Sequence, residues 1–176
     1  EGFLHTSNAK KYAVRLFAFA LVSEIPFDLA FSSKVLEFEY QNVFFTLAIG
    51  FMTMMVYKKL EEKIFVNQLW KTIMQIGVGL IGGCIAELLH TDYGMMGVLV
   101  IVLFYILRDN RVCQIAAGAV LFFENVTALF AFLPIWMYNG ERGMKVKWVF
   151  YAFYPVHLLL LYGISYVLGV GAVPVV

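Results

Sequence analysis

Four stretches of this chain are long and apolar enough to cross a lipid bilayer, and this feature constrains the fold more than any other. A spanning helix needs about 20 mainly apolar residues. The long stretches are residues 12–31, 70–89, 112–138 and 148–170, and two shorter ones, residues 43–57 and 94–107, suit the interior of a bundle. The pattern predicts an all-α fold, a polytopic transmembrane helix bundle with about six spanning helices.

Composition supports lipid as the solvent of this bundle. The chain is 62% hydrophobic and 14% charged, whereas a soluble domain usually carries about 25% charged residues. A formal net charge of +1 and the lack of a basic tract argue against nucleic acid as a partner, since its binding needs clustered lysines and arginines. No repeat or linker interrupts the pattern, so residues 1–176 are predicted to form a single domain.

The basic residues divide unequally between the two sides of the predicted bundle. If the helices alternate in direction, the side with more lysines and arginines is cytoplasmic by the positive-inside rule. That side holds Lys10, Lys11, Arg15, Lys58, Lys59, Lys63, Lys71, Arg108 and Arg111, and the other holds Lys34, Arg142, Lys145 and Lys147. A second arrangement stays open: if residues 112–138 re-enter, broken near Glu124, the loop that follows returns to the cytoplasm.

Ionisable side chains within apolar stretches are the first candidates for a functional interior, because hydrocarbon disfavours charges that lack a partner. They are Glu24, Asp28, Glu87, His90, Glu124 and His157. Glu24 and Asp28 flank Pro26, which is expected to break the first helix near the membrane surface and to free backbone carbonyls. The alternative is an interfacial helix end whose acidic side chains reach the headgroups.

His157 follows Pro155 within an otherwise apolar helix, and it is the favoured general base. A neutral imidazole can take a proton from an attacking group. The alternative is a histidine that only joins two helices through a hydrogen bond.

Three further patterns have simpler interpretations. Glu87 and His90 share the Glu-x-x-His spacing of di-metal bundles, but no second copy occurs, so no metal is predicted. Gly79 and Gly83 fit small-xxx-small helix packing better than phosphate binding. The loop that contains Arg142 could hold an anionic ligand or be a solvated turn.

Several blocks of residues, taken in order, resemble the TraX family. They are residues 1–6, Arg15, residues 24–28, residues 42–47, residues 92–94, residues 138–140 with Arg142 and Gly143, and residues 154–159. The best-known member of this family acetylates the N-terminus of F-type conjugative pilin, and the family is similar to the wider superfamily of multi-pass membrane acyltransferases. The resemblance implies acetyl-CoA or another acyl-CoA as donor and an amine or hydroxyl acceptor such as a pilin N-terminus. It also implies a multi-pass location in the bacterial inner membrane, with lipid around the chain.

Acyl transfer from a thioester needs a base, donors for the oxyanion and cations for the CoA phosphates. The predicted base is His157, or a histidine from an upstream helix with an Asp-His pair that the family normally carries. That helix has no counterpart in residues 1–176, so the chain is expected to be N-terminally incomplete. The other predicted site residues are His5, Asn42 and Asn139 as oxyanion or orienting donors, Arg15 and Arg142 for the donor phosphates, Glu24, Asp28 and Asp92 as orienting carboxylates, and Tyr93 and Tyr154 as further binding residues.

Two other functions remain open from the sequence. Intramembrane glutamates and histidines also serve proton-coupled secondary transporters, although the internal repeat common in transporters is not visible here. A non-catalytic membrane assembly subunit would use the same polar residues for helix pairing alone.

Overall fold

The computed structural model of the chain describes residues 3, 6–65, 67–123, 126–139 and 146–169, and these are mainly helical. The helices are α1 (Ala9–Ser32), α2 (Val43–Glu62), α3 (Gln68–Leu88), α4 (Gly94–Ile106), α5 (Arg111–Leu121), α6 (Val126–Leu129), α7 (Phe132–Met137) and α8 (Lys147–Leu168). Within the described residues the β-structure is limited to one isolated bridge between Gln41 and Thr91.

Asparagine side chains begin four of these helices. Each lies just before a first turn and accepts a hydrogen bond from one of the otherwise unpaired backbone amides, which is the role of a good N-cap. The caps are Asn8 on α1, Asn42 on α2, Asn67 on α3 and Asn110 on α5. The local sequence therefore marks where these helices start.

The second helix is central to the bundle. Its side chains belong to one buried cluster shared with α1 and to another shared with α3 and α4. Further along α1, Leu158 of α8 packs against Phe27 and Ala30. Because Tyr151 also stacks on Phe19 at 4.5 Å, α8 runs parallel to α1. The expected interior position of residues 94–107 is confirmed, since Val98 and Val102 of α4 are buried.

Glycines on α3 permit close helix packing. A Cβ atom built on Gly82 would overlap the Thr53 side chain of α2, and one built on Gly83 would lie 2.7 Å from the Met95 side chain of α4. The prediction for Gly83 agrees with this geometry, whereas a Cβ on Gly79 would meet no atom within 4 Å. Small residues therefore bring α3 against both neighbours, as is common between membrane helices.

Six spanning helices are not confirmed. Within the described ranges, three helices are long and apolar enough to cross a membrane: Val43–Glu62, Gln68–Leu88 and Trp148–Leu168. The first of these extends beyond the short stretch expected from the sequence. The helix α1 has 24 residues, which is long enough to cross. It is not among these three helices because it carries several ionisable side chains.

The prediction of one span over residues 112–138 is wrong. This stretch is divided into α5, α6 and α7, and α7 folds back on α5. The Arg111 guanidinium, at the start of α5, donates hydrogen bonds to the backbone carbonyls of Trp136 and Tyr138 at the end of α7. The segment thus returns to the end of the bundle from which it left, as in the re-entrant arrangement.

Pro26 does not break the first helix, contrary to expectation. The helix continues through Pro26 to Ser32 and ends where Ser33 adopts a left-handed conformation with φ of 55°. Proline removes one intrahelical hydrogen bond, but Pro26 is buried and the surrounding packing holds the helix together. The helix α8 likewise continues through Pro155.

Candidate functional site

Acidic side chains gather at one end of the bundle, where α1 ends, α2 begins and α3 turns into α4. The backbone joins the two loops here: the Gln41 amide donates to the His90 carbonyl at 2.9 Å, and the Asp92 amide donates to the Gln41 carbonyl at 2.8 Å. We call this region the acidic end. Among the described residues, its charged side chains are the acidic Glu24, Asp28, Glu37, Glu39, Glu87 and Asp92 and the basic Lys34.

Asn42 is the most connected polar residue of the acidic end. It is fully buried, at 0% exposure. Its side-chain amide donates to the Ala20 carbonyl at 2.8 Å and to the Glu24 carboxylate, while its Oδ1 accepts from the Phe44 amide at 3.0 Å. One side chain therefore caps α2, bonds the α1 backbone and holds the Glu24 carboxylate.

Three buried oxygen atoms on α1 have no hydrogen-bond partner within the described part of the chain. They belong to Ser23, Glu24 and Asp28, and Ser23 and Asp28 are 0% and 1% exposed. The other Asp28 oxygen accepts from the Glu37 amide at 2.8 Å. Buried oxygens without donors are costly, so these atoms are chemically suited to a ligand that brings N–H or O–H groups.

Asp92 lies in the α3–α4 loop, at the same end of the bundle. The Tyr40 hydroxyl lies 2.8 Å from the Asp92 carbonyl oxygen and 3.1 Å from Oδ1 of its carboxylate. Burial raises the pKa of Asp92, and the hydrogen bond from Tyr40 opposes that change. Burial and the neighbouring carboxylate together raise the pKa of Tyr40 to about 12. Tyr40 is thus a hydrogen-bond donor throughout the neutral pH range.

Tyr93 follows Asp92 and stands at the start of α4. Its amide lies 3.5 Å from the Thr46 hydroxyl of α2, and its ring meets Phe122 edge-on at 6.5 Å between centroids. The side chain is 49% exposed. Burial of the remainder and the charge of Asp92 raise the pKa of the Tyr93 hydroxyl.

Tyr154 brings α8 into the acidic end. Its hydroxyl is hydrogen-bonded by the Val43 amide, and it is close enough to interact electrostatically with Asp92 and Glu24. Its ring packs edge-on against Phe44, with centroids 5.2 Å apart. The sequence-predicted residues that meet here are Glu24, Asp28, Asn42, Asp92, Tyr93 and Tyr154.

His157 lies about one turn beyond Tyr154 on α8. Its ring stacks on Phe153 at 5.0 Å and meets Tyr154 edge-on at 5.4 Å. Nδ1 lies 3.0 Å from the Phe153 carbonyl oxygen. Because a carbonyl can only accept, this contact requires hydrogen on Nδ1, and Nε2 then has the free lone pair. The ring is oriented by its own helix, beside the cluster.

Other predicted residues lie elsewhere. Arg15 is near the opposite end of α1, with its guanidinium 5.5 Å from the centroid of the Tyr12 ring. Asn139 follows Tyr138, whose carbonyl accepts from Arg111, so it also belongs to the opposite end. The structure does not bring Arg15 or Asn139 to the carboxylates, because α1 runs the length of the bundle and α7 turns back. His5, Glu124 and Arg142 fall outside the described residues.

Sequence reasoning missed two features. The first is the pair Tyr40 and Ser23, which were not singled out. Tyr40 could have been noticed because it is a polar residue two positions before Asn42, which caps a helix. The second feature is a groove of about 580 Å³ at the opposite end, lined in part by Arg108 and Arg111. The available signal was the pair of arginines around the α4–α5 turn.

The Glu-x-x-His spacing of Glu87 and His90 has a structural explanation that involves no metal. Glu87 accepts from the Met95 amide at 3.0 Å and so caps the first turn of α4, while His90 leaves α3 with a φ of 47°. Within the described ranges there is no group of three or more histidine, cysteine, aspartate or glutamate side chains placed to hold a metal ion.

Comparison with known proteins gives the family. The family model described as TraX protein matches residues 1–165. The chain is also similar to the probable fimbrial assembly protein FimC, serogroup H1, of Dichelobacter nodosus, with 26% identity over an alignment of 191 positions, which covers 92% of this chain and 74% of the relative. No solved structure matches. The match over nearly the whole chain, together with three helices in the described part that are long and apolar enough to span a membrane, shows that this is a membrane protein of the TraX family.

Proposed function

We propose that the protein is an inner-membrane acyltransferase that moves an acetyl or other acyl group from acyl-CoA to an amine, with a pilin N-terminus as the first candidate acceptor. The observation that carries this proposal is the set of buried oxygens of Ser23, Glu24 and Asp28 that have no hydrogen-bond partner among the described residues. An ammonium group supplies several N–H donors and a positive charge. The acidic end is therefore complementary to a protonated amine.

The chemistry needs this amine to lose a proton before it attacks. The nitrogen then bonds to the thioester carbonyl carbon, the C–S bond breaks, and the CoA thiolate leaves and takes up a proton. Nε2 of His157 is the acceptor proposed for the amine proton, with an upstream histidine as the other candidate. Asn42 and Tyr154 would orient the acceptor, and Asp92 would attract it.

The two ends of the bundle have opposite charge, which supports separate donor and acceptor sides. The end opposite the acidic end, which we call the basic end, carries Lys10, Lys11, Arg15, Lys58, Lys59, Lys63, Lys71, Arg108 and Arg111 against Glu61, Glu62 and Asp109. By the positive-inside rule the basic end is cytoplasmic. The phosphates of acyl-CoA would then meet Arg15 and other cations there, and the acceptor would approach from the opposite side.

The test is transfer of labelled acetyl from acetyl-CoA to a pilin-like peptide by the full-length protein in membranes. Peptides with a free N-terminus should be labelled and N-blocked peptides should not. His157→Ala should reduce kcat by at least about a hundredfold if His157 is the base. The matched control is His90→Asn, since asparagine tolerates the left-handed conformation of His90. Activity of His157→Ala equal to that of His90→Asn would remove His157 from the mechanism.

A second candidate, a non-catalytic assembly subunit, is favoured by the similarity to a protein named as a fimbrial assembly protein. The same polar cluster would then serve to hold the helices. Assembly of pili that survives His157→Ala and Asp92→Asn, in cells where the protein is present at normal amounts, would favour this function. Loss of pilus formation together with loss of peptide labelling would favour the enzyme.

A further inference from the structure

A groove at the basic end combines an apolar interior with a cationic rim. It has a volume of about 580 Å³ and lies between α1, α2, α4, α5 and α7. Its walls include Leu16, Phe51, Met54, Ile101, Phe104 and Ile135, and Arg108 and Arg111 also line it. This volume is within the range of small-molecule sites.

The two arginines are held in place at the groove by other contacts. Arg108 donates to the Glu61 carboxylate at 3.1 Å and to the Tyr105 carbonyl at 3.0 Å, and its guanidinium lies 4.3 Å from the centroid of the Tyr105 ring. Arg111 donates to the carbonyls of Trp136 and Tyr138. A guanidinium has five N–H donors, so both side chains keep donors for an anion.

Among the described residues, Arg111 is the member of this pair that has no carboxylate partner. Glu61 is already bonded to Arg108 and to the Tyr105 hydroxyl at 2.9 Å. Glu62 lies 3.8 Å from Lys58. Within the described part of the chain no carboxylate lies within ion-pair distance of Arg111. A phosphate at the rim would therefore meet an uncompensated charge.

We infer that this groove binds an anionic phospholipid, with the headgroup phosphate at Arg111 and Arg108 and an acyl chain along the apolar walls. Basic pockets between membrane helices are suited to anionic headgroups, and hydrocarbon needs no hydrogen bonds from the walls. The amide-containing arm of CoA would need polar partners there, yet the Gln114 amide is already bonded to the Phe104 carbonyl at 2.7 Å. An ammonium group would be repelled by the rim.

The test uses the full-length protein purified in detergent and mixed with phosphatidylglycerol or with phosphatidylethanolamine of the same chains. Native mass spectrometry should show preferential retention of phosphatidylglycerol. Arg111→Gln should weaken that retention about fivefold, the loss expected for one cation near a lipid headgroup. Lys63→Gln, which removes an equal charge from the same end but does not line the groove, should leave it unchanged.

Two further variants separate lipid binding from a folding defect. Arg111→Lys keeps the charge and should keep most of the preference for phosphatidylglycerol. Leu47 also lines the groove, so Leu47→Trp should reduce its volume and weaken retention of both lipids, whereas Met52→Trp, exposed outside the groove, should not. Thermal stability of each variant without added lipid shows whether the variant is folded.

Several outcomes would overturn the inference. Equal retention by Arg111→Gln and Lys63→Gln would exclude the rim as the headgroup site. Equal effects of Leu47→Trp and Met52→Trp would exclude the groove as the acyl-chain site. If inorganic phosphate alone bound as strongly as the lipid, the groove would be an anion site that does not hold an acyl chain. Displacement of bound lipid by acetyl-CoA would assign the groove to the donor. None of these results depends on whether the protein transfers acyl groups.

Discussion

The side-chain amide of Asn42 donates a 2.8 Å hydrogen bond to the backbone carbonyl of Ala20, and both residues are fully buried. This bond ties the start of α2 to the middle of α1. The same amide also bonds the Glu24 carboxylate. The helix start and the functional cluster are therefore one structural unit, so changes to Asn42 act on both.

Asn42→Asp should destabilise the protein by about 2–3 kcal/mol, because it replaces a buried donor with a carboxylate that faces Glu24 and the Ala20 carbonyl. The variant keeps an N-cap oxygen, so the loss reports the missing donor. Unfolding in mixed detergent micelles would measure it. Asn67→Asp is the matched control, since Asn67 caps α3 from an exposed position and aspartate caps equally well. Equal stability of both variants would contradict the prediction.

Gly82→Ala should destabilise the bundle by about 1–3 kcal/mol through overpacking. The added Cβ would overlap the Thr53 side chain, whose hydroxyl bonds the Ile49 carbonyl at 2.8 Å, so Thr53 cannot move without losing that bond. Gly77→Ala, where a Cβ meets no atom within 4 Å, should be neutral or stabilising by up to about 1 kcal/mol. Thermal unfolding of the two variants checks the difference, and a Gly82→Ala variant as stable as Gly77→Ala would show that α3 and α2 are further apart.

Asp92 should make stability fall as pH rises. Burial raises the pKa of this carboxyl above its usual 3.8, so between that value and the raised pKa the folded state binds more protons than the unfolded state. Stability from this group is then greatest at or below pH 3.8 and declines until pH passes the folded pKa. Asp92→Asn keeps the oxygen that accepts from Tyr40 and removes the titration. The stability of Asp92→Asn relative to the wild type should therefore increase as pH rises from 3.8 to the raised pKa of Asp92. Parallel pH profiles of the two proteins would contradict this prediction.

Single cysteines should report the re-entrant segment. In a background with Cys84→Ser and Cys113→Ser, Asp109→Cys and Asn139→Cys should react with an impermeant thiol reagent from the same side of the membrane. Ser33→Cys, in the loop after α1, should react from the opposite side. The positive-inside rule predicts that the first side is cytoplasmic. Labelling of Asn139→Cys together with Ser33→Cys would show instead that residues 111–138 cross the membrane.

Much of the helical framework could be predicted because its signals are local. Apolar length marks the cores of α1, α2, α3 and α8, and a capping asparagine precedes three of these helices. The break within residues 112–138 has no such signal. The stretch is apolar throughout, and its fold back on itself depends on the bonds from Arg111 to Trp136 and Tyr138, which link residues 25 and 27 positions apart.

The candidate site could be predicted only in part, for a related reason. Glu24 and Asp28 are recognisable as ionisable groups in an apolar stretch, since their cost in hydrocarbon is a property of single residues. Their meeting with Asp92 and Tyr40 depends on the bridge between Gln41 and Thr91. Arg15 belongs to the same helix as Glu24 but lies towards the other end. Each residue between them adds about 1.5 Å of rise along the helix axis, which keeps the two side chains apart.

Hydropathy and charge along the chain were enough to indicate a helical membrane protein and the side that carries most of its cations, because each residue contributes to those properties independently. Which polar atoms share a pocket was settled by contacts between helices. Lipid surrounds every apolar face equally, so only close packing, such as Gly82 against Thr53, selects one arrangement of neighbours. That arrangement joins Asn42 to Glu24, buries Ser23 and Asp28 on the same helix, and leaves Arg111 at the rim of a separate groove.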